Sequence, residues 1–114
     1  MPDAARILIV DDEQSLREFL EIFLHKEGFE VTTAEGGQEA VDLLDGDTEF
    51  DLVLTDLMMP DVDGLQVLGE VKERYPETQV LMMTAFATAD TAIEAMKKGA
   101  FDYIQKPFKN HEIQ

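Results

Sequence analysis

Five short strand-like runs recur along this chain at a spacing of roughly 22 to 28 residues, and no other feature limits its architecture as strongly. Residues 7–10 read Ile-Leu-Ile-Val, 30–34 Glu-Val-Thr-Thr-Ala, 52–54 Leu-Val-Leu, 80–83 Val-Leu-Met-Met and 101–104 Phe-Asp-Tyr-Ile. Between consecutive runs lies one stretch with apolar residues at helical spacing. These are Leu16, Phe19, Leu20, Phe23 and Leu24, then Ala40, Val41, Leu43 and Leu44, then Val67, Leu68 and Val71, then Ala89, Ala92, Ile93 and Met96. One helix between two strands is the length of a right-handed crossover, so the chain is expected to be α/β, a five-stranded parallel sheet with helices on both faces. The wholly apolar runs suit strands covered on both faces, and the half-apolar second run suits a sheet edge. Gly28, Gly36-Gly37, Pro76 and Gly99 mark the breaks between elements. Periodicity leaves the strand order open.

At 114 residues the chain is expected to form one domain, with no repeat, low-complexity segment or linker. Hydrophobic residues at 45% and charged residues at 30% give the balance of a folded, soluble protein. No targeting signature or membrane-length apolar stretch is present, so a membrane role is not expected. The absence of cysteine excludes disulfides and thiolate metal sites and agrees with a cytoplasmic chain. Nine basic against 25 acidic residues give a net charge of −16, a field that repels nucleic acid phosphates and anionic membranes. Most of these acids read as solvated helix faces; a few do not.

In a parallel sheet the residues just after each strand share one edge, where ligand sites of open α/β sheets form. That edge is expected to receive Asp11 and Asp12 after the first run, Asp56 after the third, Thr84 after the fourth and Lys106 after the fifth. Carboxylates about 4 Å apart repel by about 4 kcal/mol per pair at an effective dielectric of about 20, and one lysine does not cancel three of them. A hard divalent ion does, and Mg²⁺ suits a shell of few protein oxygens, several waters and a phosphoryl oxygen. Singly, each residue has a plainer reading: Asp56 as a turn former, Thr84 as a turn hydroxyl, Tyr103 as a half-buried strand aromatic, Lys106 as a surface lysine. The Met58-Met59 and Met82-Met83 pairs read as packing, and His25 and His111 as surface residues.

Taken together, the acid pair at 11–12, the Asp56-Leu57-Met58-Met59-Pro60 loop with Gly64, the Thr84-Ala85 pair, and Lys106-Pro107 with Tyr103 before it closely resemble the receiver domains of two-component response regulators. The likeness covers nearly all of the chain, and residues 83–108 look most like receivers of enhancer-binding transcriptional activators. It implies a flavodoxin-like, doubly wound sheet in the order 2-1-3-4-5. It also implies that Asp56 is the phosphoacceptor, taking its phosphoryl group from a sensor histidine kinase or a small phosphodonor, with no other enzymatic turnover. Mg²⁺, or Mn²⁺ in its place, is then held by Asp12, Asp56 and the Met58 backbone carbonyl, with Asp11 helping through water. Lys106 and Thr84 engage phosphoryl oxygens, and Thr84 with Tyr103 switches the surface around the fourth helix and fifth strand. A covalently linked output domain, a transcriptional one, would read that surface.

Two rivals fit less well. A haloacid-dehalogenase-like phosphatase carries a second aspartate two residues after its nucleophile, where this chain has Met58, and a flavodoxin-like electron carrier needs a glycine- and hydroxyl-rich loop where this chain has Asp11-Asp12-Glu13. A degenerate receiver that acts only as a binding module would lack some of the acceptor, metal and switch residues present here. Receivers normally end in a fifth helix, which is largely missing from a chain that stops at Gln114. Residues 1–114 therefore read as a C-terminally truncated receiver without its output domain, and the uncovered sheet face near Ile104 predicts a homodimer or segment swapping. Met58 and Phe86, apolar two residues after Asp56 and Thr84, predict slow self-dephosphorylation.

Overall fold

The computed structural model describes residues 5–46, 49–57, 59, 62–84 and 89–105, with the side chains of Thr84, Ala89, Ala92, Tyr103 and Gln105 excepted. Strands β1 (Arg6–Val10), β2 (Glu30–Ala34), β3 (Leu52–Asp56), β4 (Gln79–Thr84) and β5 (Asp102–Gln105) alternate with helices α1 (Gln14–Lys26), α2 (Gly37–Leu44), α3 (Gly64–Arg74) and α4 (Ala89–Lys97). All strand pairs are parallel, and the sheet order is β2-β1-β3-β4-β5. The fifth helix expected to be largely missing falls at 106–114, outside the described residues.

Alternation along the strands sends successive side chains to opposite faces, so each buried strand feeds two cores. On one face Leu8, Val10, Val53, Val80 and Met82 pack with Ala40 and Leu44 of α2, Val67, Leu68 and Val71 of α3 and Ala95 of α4. On the other, Ile7, Ile9, Leu54 and Met83 pack with Leu16, Leu20 and Leu24 of α1. The wholly apolar runs are thus the doubly covered strands, and half-apolar β2 lies at an edge.

Local chemistry explains the element ends. Gly28 takes a φ of +97°, while the Phe29 N–H donates to the Leu24 carbonyl at 3.2 Å, closing α1. Asp63 caps α3: its carboxylate accepts from the Gln66 N–H at 2.9 Å, and the Gln66 side chain accepts from the Asp63 N–H at 3.1 Å. The apolar stripe of α4 lies differently from a simple core-facing reading, for Ile93 and Met96 are 53% and 47% exposed while Ala95 is buried. Ala95 lies against the sheet core, which leaves the two larger side chains on the outward faces.

Candidate functional site

The register of the sheet brings the acids together. Val10 pairs with Thr55 across β1 and β3, so the next residues, Asp11 and Asp56, leave the same edge side by side. Asp56 pairs in turn with Met83, one residue before Thr84. Carboxylate oxygens of Asp11, Asp12 and Asp56 all lie within 4.8 Å of one another. Asp11 is 0% and Asp56 7% exposed, while Asp12 faces solvent.

Each buried acid is fixed by its neighbours. Asp11 Oδ1 accepts from the Glu13 N–H at 2.8 Å, which shapes the turn into α1. Its carbonyl accepts from Arg17 Nη1 at 2.7 Å, and its own N–H donates to the Ala34 carbonyl at 3.2 Å. At Asp56 the backbone carbonyl accepts from the buried Thr55 hydroxyl at 3.1 Å. Gly64 lies over that same peptide, where a Cβ would come within 2.2 Å of the Asp56 carbonyl oxygen. Only glycine allows α3 to start this close behind the acid.

Such an arrangement suits a hard cation. Two buried carboxylates and a solvent-facing third leave an oxygen-rich mouth, and buried charges persist when they are paired or coordinate a metal. The donor set is all oxygen, with no cysteine in the chain and no histidine in the group, which fits Mg²⁺ better than a softer metal.

The sequence matches the response regulator receiver domain family over residues 7–114. This chain belongs to that family. The receiver is 44% identical over 108 residues to the regulatory protein AtoC of Escherichia coli, covering 95% of this chain and 23% of that protein. With the DNA-binding transcriptional regulator NtrC of Klebsiella pneumoniae it shares 45% over 100 residues, 88% of this chain and 21% of that one. It thus spans under a quarter of the length of these relatives. Among solved structures, the response regulator TrrA of Thermotoga maritima, in complex with Mg²⁺ and BeF, superposes with a TM-score of 0.81 at 35% identity, covering 96% of this chain and 92% of that one. The CheY-like receiver of Methanospirillum hungatei reaches a TM-score of 0.91 at 29% identity, covering 97% and 88%.

Of the residues expected at the receiver's site, Asp11, Asp12 and Asp56 are brought together. Thr84 ends β4 opposite Gln105, and Tyr103 pairs with Met82; the backbones of both are described and their side chains are not. Met58, Phe86, Lys106 and His111 lie outside the described residues, and His25 is exposed. Sequence reasoning missed Arg17 and the backbone contacts of Gly64 and Gly37. The arginine was detectable in principle, as a cation six residues after Asp11 and one helical turn into α1.

Proposed function

We propose that Asp56 accepts a phosphoryl group from the phosphohistidine of a sensor histidine kinase, and that the resulting acyl phosphate controls an output domain carried by the same polypeptide. The observation that carries this reading is the set of three carboxylates within 4.8 Å, with Asp56 nearly buried at the end of β3. An Asp56 carboxylate oxygen attacks phosphorus as the bond from phosphorus to the imidazole nitrogen breaks, and the electron pair leaves with the nitrogen. The site holds its nucleophile in place, so the transfer depends on positioning and charge balance more than on covalent help. Asp12 and Asp56, with the Met58 carbonyl and water-mediated help from Asp11, would hold Mg²⁺ or Mn²⁺. The bound ion would neutralise the charge of the acids and of the transferring group. Lys106 and Thr84 would take phosphoryl oxygens.

Phosphorylation places about two negative charges where one stood. Thr84 then moves toward the phosphoryl group and Tyr103 turns inward, which favours a second state of the surface formed by α4 and β5. The relative NtrC, a DNA-binding transcriptional regulator, supports a transcriptional output, and TrrA with its Mg²⁺ and BeF supports the metal and phosphoryl roles. No helix among the described residues is long and apolar enough to cross a membrane. The net charge of −16 disfavours direct DNA contact, and a cytoplasmic location is part of the same proposal. Homodimerisation and slow loss of the phosphoryl group belong to the same proposal.

The test is intact-protein mass after incubation with acetyl phosphate. A single phosphoryl adduct is expected with Mg²⁺, none with a chelator, and none for Asp56→Asn. An adduct that forms equally without metal, or on Asp56→Asn, contradicts the reading.

A further inference from the structure

The loop that follows the acceptor leaves β3 at Leu57 and enters α3 at Gly64. Both ends are tied, for the Leu57 N–H donates to the Met83 carbonyl at 2.8 Å and the Gly64 N–H to the Leu57 carbonyl at 2.9 Å. Between these ties the loop meets α2. A Cβ at Gly37, the first residue of α2, would lie 1.9 Å from the Val62 carbonyl oxygen and 2.7 Å from its carbonyl carbon and Cβ. Positive φ is confined to Gly28 and Gly99 among the described glycines, so the backbone at 37 would accept any residue and glycine is needed there for space.

Because the atoms in the way are the Val62 carbonyl and the Cβ fixed to its backbone, no rotamer change relieves the contact, and one of the two elements has to move. Movement of α2 is opposed on its buried side by Ala40 and Leu44. It is also tied to the end of α3, where the Tyr75 hydroxyl donates to the Leu44 carbonyl at 3.1 Å and Arg74 pairs with Asp45. Val62 packs against the same core, so a clash at this point strains both elements. Val62 lies two residues before Gly64, which sits directly on the Asp56 peptide, so a displaced Val62 bears on the acceptor's own backbone.

We propose that Gly37 is a positioning residue for phosphoryl transfer: the missing Cβ at the start of α2 sets the place of the acceptor loop, and through it the Mg²⁺ affinity and the rate of phosphorylation. The proposal rests on the phosphoacceptor reading above. It predicts an effect on metal binding from a residue that touches neither metal nor phosphate.

The experiment compares Gly37→Ala with Val71→Ala, a core truncation in α3 away from the loop, at matched loss of thermal stability. Mg²⁺ affinity is read by calorimetric titration and the phosphorylation rate by mass spectrometry with acetyl phosphate. Gly37→Ala is expected to lose at least fivefold in both, while Val71→Ala stays within twofold of the unaltered chain. Equal losses in the two variants, or a Gly37→Ala variant within twofold, overturn the proposal. If Gly37→Ala does not fold in buffer, the two variants are compared in trimethylamine N-oxide, which favours the compact state; a Gly37→Ala affinity for Mg²⁺ within twofold of the unaltered chain overturns the proposal there too. Failure of the unaltered chain to take a phosphoryl group overturns the functional reading, and the Mg²⁺ comparison still decides the role of Gly37.

Discussion

At Asp11 and Asp56 the fold keeps two carboxylates largely out of water with oxygens within 4.8 Å of each other. Their mutual repulsion is about 3 kcal/mol at an effective dielectric of about 20, and solvent at the mouth reduces what Asp12 adds. That repulsion is the part of the site's energy that a bound cation relieves. Asp56→Asn keeps the side-chain shape and removes one charge, so in chelator it is expected to unfold at a higher urea concentration, by about 1 to 2 kcal/mol. A variant less stable than the parent in chelator contradicts that account. The three acids were legible from sequence because each lies at or just beyond the carboxyl end of a strand. The roles of Arg17, Gly37 and Gly64 were not, because they arise from contacts between segments whose meeting depends on the folded backbone.

Among the elements, strands and helices followed hydrophobic period closely, and α1 runs over Gln14–Lys26 as its pattern implies. Two features depend on finer chemistry. The reciprocal bonds of Asp63 and Gln66 start α3 directly behind the acceptor, and Asp63→Ala is expected to cost about 1 kcal/mol in urea unfolding. In α4, period alone does not separate outward Ile93 from inward Ala95, since the distinction lies in how the helix is rotated on the sheet. Ile93→Ala is accordingly expected to change stability by less than about 0.5 kcal/mol, and Ala95→Leu to cost about 1 to 3 kcal/mol by overpacking. A reversed order of these two effects in the same denaturation series contradicts the observed rotation of α4.

For the whole molecule, five parallel strands in the order β2-β1-β3-β4-β5 assemble a site from residues far apart in the chain. Crossover length implied the parallel sheet, whereas the order came with the family resemblance, because spacing carries no information about which strands become neighbours. A net charge of −16 adds general self-repulsion that any salt screens, but a specific site responds to Mg²⁺ beyond screening. At constant ionic strength, Mg²⁺ at about 100 times its Kd is expected to stabilise the fold by about 2.7 kcal/mol in calorimetry. Asp56→Asn should lose most of that gain; an equal gain from sodium chloride at matched ionic strength contradicts a specific site. The most direct test of the central claim is to trap the phosphorylated chain with borohydride, which reduces an aspartyl phosphate to homoserine, and to locate the new residue by peptide mass spectrometry. Homoserine at position 56 and nowhere else is the predicted result. Homoserine at 11 or 12, or a stable phosphoryl group on a hydroxyl side chain, would contradict the assignment of Asp56 as acceptor.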